Sequence, residues 1–234
     1  MPNVIRVTNL EFLTTCEARF GFSILDFPQK SSLAAERGTY LHDVFYKVIT
    51  ADASVASLPP RSPYSDDLTQ FQTKIQKWWN SYTKQIVLAE QRLHMPIDGS
   101  FILSGKPDVI VQLEGSTLKI IDLKTGKNVE HYLYSPQLPL YSLLVTYSLK
   151  LSKPPICVSI LDTEGTEYER TLNAADFEYA YTLSQLGVKL INRGVFQKSF
   201  GCSHCDFYEY CIKITKNYIT LEQLKQLRDR ANKK

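Results

Sequence analysis

Three charged residues lie at unusual positions in a predicted β-hairpin. The segment GKPDVIVQLEGSTLKIIDLKTG, residues 105–126, has two runs rich in Val and Ile on either side of Gly115. Asp108 precedes the first run, whereas Asp122 and Lys124 close the second. Charged side chains are rarely buried without a partner, so the positions of these three residues need a chemical explanation.

The spacing of these residues predicts that they meet on one face of the hairpin. A three-residue turn at the glycine pairs Leu113 with Thr117, and counting back in an antiparallel register places Asp108 opposite Asp122. Side chains alternate along a strand, so Lys124 lies on the same face as Asp122. The hairpin therefore predicts a cluster of two carboxylates and one amine.

Such a cluster is typical of a site that binds a divalent cation. Two neighbouring carboxylates repel each other, and a cation removes that penalty. Mg²⁺ prefers oxygen ligands and keeps water or substrate phosphate in its coordination shell. A bound ion activates a water molecule and neutralises charge on an attacked phosphate, while the amine can orient or deprotonate that water. The alternative is a surface hairpin with one salt bridge, because the pattern D-x-K is common.

Two flanking segments favour the chemical interpretation. SPQLPLY places Gln137 and Tyr141 four residues apart, hence on one face of a helix that starts near Pro136 and Pro139. Upstream, the segment GTYLH ends in His42, a candidate third metal ligand.

Together these motifs resemble the PD-(D/E)XK nuclease superfamily, and in particular its RecB-like branch. The resemblance runs from Thr8 to Cys211 and leaves residues 51–85 unmatched. The ligands that it implies for Mg²⁺ or Mn²⁺ are His42, Asp108, Asp122 and the backbone carbonyl of Leu123. The residues that it implies act on the attacking water, or steady the nucleic-acid strand, are Lys124, Gln137 and Tyr141. Glu90, on the preceding predicted strand, is a candidate outer partner of the metal site.

Four cysteines have a spacing typical of a metal–thiolate centre. Cys202, Cys205 and Cys211 form the pattern C-x₂-C-x₅-C, and Cys16 can supply a fourth thiolate. One cysteine before the nuclease core and three after it resembles the iron–sulfur RecB-like nucleases, which implies a [4Fe–4S] cluster. Zinc is the alternative, because four thiolates also bind zinc.

The fifth cysteine, and a histidine near the cysteine trio, are predicted to have other roles. The odd number of cysteines, five, argues against a disulfide framework in a reducing compartment. His204 lies inside the trio and is a candidate substitute ligand. Cys157, in PPICVSIL, is predicted to be a small hydrophobic side chain in a core strand.

Hydrophobic periodicity and capping residues predict the elements that position these groups. A first helix is capped by Thr8 and carries Leu10, Leu13 and Phe20. The other predicted helices cover Leu33 to Ile49, residues 67–84, a long stretch opened by Asn173 and closed by Gly194, and a charged stretch from Thr220. The predicted strands cover residues 85–93, a hairpin over 101–124, residues 156–161 and residues 166–172. Residues 51–67 are predicted to form a loop.

These elements predict an α/β fold. The resemblance implies a restriction-endonuclease-like core, a mixed β-sheet flanked by helices, with an N-terminal helical lobe and a C-terminal iron–sulfur segment. We expect a single domain made of a mainly helical lobe (1–85), a nuclease core (86–195) and a cysteine cluster with a C-terminal helix (196–234).

Composition limits the possible classes of protein. Of the 234 residues, 44% are hydrophobic, enough for a sizeable core, and the net charge of +3 requires any nucleic-acid site to be local. The start of the chain lacks a secretory signal, and no apolar run approaches the ~18 residues of a membrane span. The segment LKTGKN lacks the spacing of a P-loop. We expect a soluble, cytoplasmic protein.

Aromatic and basic residues suggest how a nucleic-acid strand is bound. Single-stranded bases stack on exposed aromatic rings, and the first candidates are Trp78, Trp79 and Tyr82, although a Trp pair on an amphipathic helix is usually core. Candidates for contact with the nucleic-acid backbone are Arg6, Arg19, Lys213 and Lys216, for which a solvated surface is the alternative.

The resemblance favours a metal-dependent DNA exonuclease that acts on single strands or frayed ends, with 5′-to-3′ polarity. In size and layout the chain is similar to CRISPR-associated RecB-like nucleases, whose family trims DNA for spacer integration beside an integrase complex. The alternatives are a stand-alone repair or recombination nuclease of viral or genomic origin, a non-catalytic module that holds DNA in a larger complex, and a nuclease with an RNA substrate.

Overall fold

The computed structural model describes residues 3–28, 32–51, 65–80, 85–114, 117–199, 202 and 205–232. The α-helices in these residues are α1 Val7–Leu13, α2 Glu17–Ile24, α3 Leu33–Ile49, α4 Ser65–Asn80, α5 Gln137–Ser148, α6 Ala174–Arg193, α7 Tyr208–Cys211 and α8 Leu221–Ala231. A 3-10 helix covers Val129–Tyr134. None of the helices described is both long and apolar enough to cross a bilayer.

The strands form three sheets. They are β1 Val4–Arg6, β2 Gln85–Ala89, β3 Leu93–Asp98, β4 Phe101–Gly105, β5 Val109–Gln112, β6 Leu118–Leu123, β7 Cys157–Leu161, β8 Glu167–Thr171, β9 Val195–Gln197 and β10 Tyr218–Thr220. The central sheet has the order β2-β5-β6-β7-β8, a second sheet has the order β1-β4-β3, and β9 pairs with β10. The central sheet is mixed, because β6 and β7 are parallel while its other neighbours are antiparallel.

The predicted register of the hairpin is confirmed. Val109 pairs with Ile121, so Asp108 and Asp122 are the next residues along the two strands. At the other end, the backbone N–H of Leu113 donates to the carbonyl of Thr117 at 2.7 Å, which is the pair expected beside a three-residue turn. The central turn residues, 115–116, lie outside the described part of the chain.

Two hydrophobic clusters cover the two faces of the central sheet. On one face, Val111 and Ile121 pack in a cluster with residues of α3 and α4, such as Phe45 and Trp78. On the other face, Ile110 and its neighbours pack with α1, α2, α5 and α6. The alternation of side chains in β5 and β6 therefore assigns Asp108 and Asp122 to the face that α5 covers.

Several helix boundaries match the sequence prediction. The predicted helix Leu33 to Ile49 is α3, and Ser32 Oγ caps it by accepting from the N–H of Ala35 at 3.1 Å. The predicted capping box of Asn173 and Asp176 is present at the start of α6, and Gly194 ends that helix in the left-handed conformation. The charged C-terminal helix is α8, which Thr220 caps.

The N-terminal prediction was wrong in three respects. Residues Val4–Arg6 form a strand that pairs in parallel with β4, and α1 begins at Val7 rather than after Thr8. The chain is extended again at Cys16, so Phe20 belongs to a second helix, α2. Strand pairing with a partner nearly a hundred residues away has no local signal, which explains why β1 was not predicted.

The predicted strands also needed correction. The run 85–93 contains β2 and the first residue of β3, and the predicted hairpin over 101–124 contains β4, which belongs to the other sheet. The 3-10 helix, β9 and β10 were not predicted. The α4 helix ends at Asn80, and residues 52–64 of the predicted loop and 81–84 of the predicted helix lie outside the described residues.

Candidate active site

Asp108 is a buried carboxylate that links two strands and a helix. It is 6% exposed, and its Oδ2 accepts a hydrogen bond from the backbone N–H of Leu123 at 2.7 Å. Its Oδ1 lies 3.3 Å from Nδ1 of His42, which α3 supplies from the same end of the sheet. The carboxylate therefore orients the imidazole and binds the strand that carries Asp122.

Asp122 and Lys124 form a buried ion pair on the neighbouring strand. Asp122 is 2% exposed, and its Oδ2 lies 2.7 Å from Nζ of Lys124. This oxygen accepts no well-directed hydrogen bond in the described residues, although it is buried. Such an oxygen has the capacity to bind a cation as well as the lysine.

Two polar residues of α5 hold the amine in place. Lys124 donates to Oε1 of Gln137 at 2.7 Å, and Nε2 of Gln137 donates to the hydroxyl of Tyr141 at 2.9 Å. Both residues are buried, and the four-residue spacing puts them on one face of the helix, as predicted. This chain of hydrogen bonds fixes which end of the Gln137 amide faces the lysine.

The pKa values of Lys124 and Tyr141 are both raised. Burial lowers the pKa of Lys124, but the adjacent Asp122 carboxylate and the charges of Glu11 and Asp108 outweigh it, so the net shift is upward. Burial first, and then the charge of Asp122, raises the pKa of Tyr141. Lys124 is therefore an ammonium and Tyr141 a neutral phenol in this arrangement. An ammonium can orient water and stabilise negative charge on a phosphate.

Glu90 lies beside Asp108 in a strained backbone conformation. It follows β2 with a φ of 51°, in the left-handed region, and its N–H donates to the carbonyl of Asp108 at 2.9 Å. Its carboxylate pairs with Lys106. For a residue other than glycine, such a backbone costs on the order of 1–3 kcal/mol and is often retained at functional sites.

Three potential ligands meet at the end of the sheet. One ligand atom each from His42, Glu90 and Asp108 lies within 4.8 Å of the other two. Glu90, which was expected to be an outer partner, is thus as close as the other two, whereas Asp122 is not in this group. The pKa of His42 is raised because Asp108, Asp122 and Glu90 together outweigh the lowering effect of burial.

These residues open into a cleft of about 750 Å³. Its lining includes His42, Glu90, Asp108 and Lys106, together with Thr39 and Tyr46 of α3. The donor set is two carboxylate oxygens and one imidazole nitrogen, with a third carboxylate on the next strand. Oxygen-rich sets with concentrated negative charge fit Mg²⁺ or Mn²⁺, so the described residues are suited to such an ion.

Two glycines allow the elements of the site to approach each other. A Cβ atom on Gly105 would lie 2.8 Å from the ring of Tyr141 and 2.7 Å from Leu144, so any side chain there would displace α5. A Cβ atom on Gly38, in the predicted GTYLH segment, would lie 3.1 Å from Oγ1 of Thr125. Gly105 therefore lets α5 approach β4, and Gly38 lets α3 approach the residue that follows Lys124.

Glu11 was not identified from the sequence. Its Oε1 accepts a hydrogen bond from Oγ of Ser135 at 3.0 Å, and Ser135 Oγ accepts from the backbone N–H of Gln137 at 3.2 Å. Its charge also raises the pKa of Lys124. No local pattern marks Glu11, because α1 approaches the start of α5 only through the tertiary fold.

The four predicted thiols lie at the junction of the two chain ends. Cys16, Cys202, Cys205 and Cys211 are all free and half-buried. Burial raises the pKa of Cys205, and the negative charges of Cys202 and Cys16 add to this shift. Burial also raises the pKa of Cys211, as do the negative charges of the other three cysteines. Residues 203–204, and with them the candidate ligand His204, lie outside the described part of the chain.

Aromatic contacts join the cysteine-bearing segment to the N-terminal helices. The rings of Phe22 and Phe207 stack with centroids 5.3 Å apart, and the ring of Phe12 meets Phe207 edge-on at 6.4 Å. Arg19 bridges the same elements, 2.9 Å from Asp206 and 4.2 Å from the Phe12 ring. The chain ends are therefore packed together by side chains that surround the thiols.

The other predicted positions differ from expectation in part. Trp78 is only 7% exposed, contacts Phe45, and donates from Nε1 to Glu167 at 3.0 Å, so it is a core residue. Cys157 is in a strand as predicted, but it is half-buried, and its Sγ lies 3.4 Å from a carboxylate oxygen of Glu169.

Of the candidate basic contacts, two have carboxylate partners and two lie near tyrosine rings. Arg6 pairs with Asp26 at 2.6 Å, and Arg19 pairs as described above. Lys213 and Lys216 lie 5.8 and 5.4 Å from the centres of the Tyr210 and Tyr218 rings. The Trp79 ring is 5.8 Å from that of Trp78, and Tyr82 lies outside the described residues.

The chain belongs to the PD-(D/E)XK nuclease superfamily, because the model of that family matches residues 5–212. Among solved structures, it is similar to a candidate exonuclease from Eubacterium rectale, with 13% identity and a TM-score of 0.60 over 95% of this chain and 93% of that one. It is also similar to the structure of a protein named SSO0001, with 17% identity and a TM-score of 0.47 over 92% and 89% of the two chains. None of the curated proteins matches it.

The family membership confirms the predicted superfamily and the predicted mixed α/β fold. It supports a metal-dependent nuclease, and His42, Glu90 and Asp108 are able to hold a metal ion. The RecB-like branch, the division into lobes and the iron–sulfur centre stay predictions, as do the CRISPR association and the roles of individual site residues.

Proposed function

We propose that the protein is a metal-dependent DNA exonuclease that hydrolyses phosphodiester bonds of single strands or frayed ends. The observation that carries this proposal is the convergence of Asp108, Asp122 and Lys124 at one end of the central sheet, beside the cleft that His42 and Glu90 line. Two buried acids beside a single ammonium leave an excess of negative charge, which a divalent cation would neutralise.

The resemblance assigns the metal to His42, Asp108, Asp122 and the backbone carbonyl of Leu123, and the position of Glu90 adds a fifth candidate. When bound, a divalent cation would lower the pKa of a water molecule and neutralise charge on the attacked phosphate. The protein's own groups would then set the geometry, because His42 and Asp108 are oriented by each other and Asp108 is held by the Leu123 amide.

Lys124 would position the attacking water or stabilise the negative charge that develops on phosphate. Its ammonium is held between Asp122 and Gln137, and Tyr141 holds Gln137 in turn. Glu11 acts from outside this group, since Ser135 connects it to the backbone at the start of α5.

Contacts of this type would be made to phosphate, so cleavage would not depend on base sequence. Exonucleolytic action on single strands, with 5′-to-3′ polarity, is proposed on the family resemblance alone.

We also propose that Cys16, Cys202, Cys205 and Cys211 bind a [4Fe–4S] cluster. These cysteines lie near enough to one another that neighbouring thiolates add to burial in raising the pKa of Cys205 and Cys211, and this proximity supports a shared metal–thiolate centre. Tetrahedral zinc is the alternative, because four thiolates also bind zinc.

The biological role that we favour is the trimming of DNA for CRISPR spacer acquisition beside an integrase complex. The support is the split cysteine pattern. A stand-alone repair or recombination nuclease of viral or genomic origin is the second candidate, and integrase genes with a repeat array beside this gene would distinguish the two.

The experiment that tests the activity uses an end-labelled DNA single strand with Mn²⁺. We expect stepwise shortening by the wild-type protein and none by Asp122→Ala, while Asp98→Ala, which changes an exposed acid at the β3–β4 turn, should retain activity. Binding of DNA without turnover under Mg²⁺ or Mn²⁺ would instead favour a non-catalytic module. Shortening of an RNA strand in preference to DNA would change the substrate class.

A further inference from the structure

The burial of Trp78 removes one of the three predicted candidates for base stacking, so other aromatic residues become candidates. The 3-10 helix Val129–Tyr134 connects the strand that ends beside Lys124 to the helix that begins at Gln137. It carries three aromatic side chains: His131, Tyr132 and Tyr134. We refer to these three as the aromatic platform.

The platform begins at the catalytic lysine and extends into solvent. Nζ of Lys124 lies 5.0 Å from the centre of the Tyr132 ring, and the Tyr132 and His131 rings lie 4.1 Å apart at an angle of 35°. Tyr134 is three residues before Gln137 and is 72% exposed, a value matched only by Leu33 among the large hydrophobic side chains described. An exposed ring thus lies at the end of the 3-10 helix that leads into the helix carrying Gln137 and Tyr141.

The guanidinium of Arg170, on β8, lies over one face of the exposed Tyr134 ring. The guanidinium carbon lies 4.7 Å from the ring centre. The same guanidinium donates to the carbonyl of Leu133 at 3.1 Å and pairs with Asp176 at 2.5 Å. Because Leu133 and Asp176 fix the arginine, the ring has a defined support on one face while most of its surface remains in water.

We infer that Tyr134, supported by Arg170, stacks against an unpaired base of the DNA strand whose backbone enters the cleft. This inference rests on the proposed function and deepens it, because it names the group that would select single strands. Aromatic side chains stack on bases of any sequence, whereas the bases of a duplex are already stacked on their neighbours. Because Arg170 holds the ring before DNA binds, little conformational entropy is lost on binding.

The test measures DNA binding in an Asp122→Asn background with Mn²⁺, so that cleavage does not remove the ligand. The probe is a single strand that contains 2-aminopurine, whose fluorescence falls when it stacks on a ring. Tyr134→Leu removes the ring, Tyr134→Phe retains it, and Tyr147→Leu removes another exposed tyrosine from the opposite end of α5. A second probe of equal length carries abasic sites in place of bases.

We expect Tyr134→Leu to weaken binding of the normal strand about tenfold and to reduce the fluorescence quenching. Tyr134→Phe and Tyr147→Leu should bind as the parent does. On the abasic strand, Tyr134→Leu and its parent should have equal affinity, because no base remains to be stacked.

Two results would overturn the inference: an unchanged affinity of Tyr134→Leu for the normal strand, or an equal loss on the normal and abasic strands. The failure of the proposed function would look different. In that case a protein with an intact Asp122 would not shorten a single strand, whatever the residue at position 134.

Discussion

The carboxylate of Asp108 accepts a hydrogen bond from the backbone N–H of Leu123, with 2.7 Å between Oδ2 and the nitrogen. Leu123 lies between Asp122 and Lys124, so one acidic side chain fixes the strand that presents the other two charged groups. The second oxygen of Asp108 faces His42. We therefore expect Asp108 to have both a structural role and a chemical role, which different substitutions should separate.

We predict that Asp108→Ala and Asp108→Asn both abolish Mn²⁺-dependent cleavage but differ in stability. Alanine leaves the buried N–H of Leu123 without a partner, at a cost of about 1–3 kcal/mol, whereas the amide oxygen of asparagine can still accept that hydrogen bond. Urea unfolding monitored by circular dichroism would measure both variants. Equal destabilisation by the two substitutions would contradict the structural role.

A second prediction concerns Gln137, which connects Lys124 to Tyr141. Gln137→Leu has a similar volume but neither accepts from the ammonium nor donates to the phenol. We expect kcat to fall by about tenfold to a hundredfold through misplacement of Lys124, with little change in KM. Single-turnover cleavage of a labelled single strand would measure this decrease in the rate of cleavage.

The control for Gln137 is Tyr141→Phe, which removes only the hydroxyl. Lys124 retains its contact with Gln137 in that variant, so the decrease in kcat should be smaller. If Tyr141→Phe is as slow as Gln137→Leu, the phenol has a role of its own that the hydrogen-bond chain does not explain.

The hairpin shows why part of the site was predictable from sequence. The register of β5 and β6 depends on residues within one short segment, and the alternation of side chains then determines the face of Asp108, Asp122 and Lys124. The boundaries of α3 and α6 were predictable for the same reason, since capping and periodicity are local properties.

Features that depend on distant contacts were not predictable in this way. The sequence does not show that β1 pairs with β4, that Glu11 reaches Ser135, or that Trp78 is buried against Glu167. The left-handed backbone of Glu90 is likewise stabilised by its neighbour in the sheet, Asp108, and local preference alone would place a glycine or asparagine there.

A third prediction concerns the metal ligands. The position of Glu90 within 4.8 Å of the ligand atoms of His42 and Asp108 means that Glu90→Gln should weaken Mn²⁺ binding, by about tenfold to a hundredfold. Isothermal titration calorimetry would measure the affinity. Asp43→Asn is the matched control, because Asp43 lines the same cleft but pairs with Lys47 at 2.9 Å. An unchanged affinity in Glu90→Gln would leave the glutamate with only its pairing to Lys106.

The last prediction concerns the four thiols, whose surroundings disfavour the thiolate form unless a metal or cluster is bound. Burial and neighbouring thiolates oppose the charged forms of Cys205 and Cys211, and a metal or cluster that binds all four sulfur atoms would remove this penalty. Such a centre would also connect α2 to the C-terminal segment across most of the chain. We therefore expect Cys16→Ser to lose the centre and to lower the unfolding temperature by at least about 5 °C.

Protein purified without oxygen would be measured by visible absorbance, by iron and zinc content and by thermal unfolding. A brown wild-type protein and a colourless Cys16→Ser variant would support a [4Fe–4S] cluster, whereas a colourless wild-type protein that contains zinc would identify the alternative metal. Cys157→Ser, in β7 and outside this group, should retain the centre in full. Because the aromatic contacts of Phe22 with Phe207 already join the two ends, the variant should remain folded, and its loss of metal would then be attributable to the missing thiolate. Retention of full iron or zinc content by Cys16→Ser would show that the N-terminal cysteine is not a ligand.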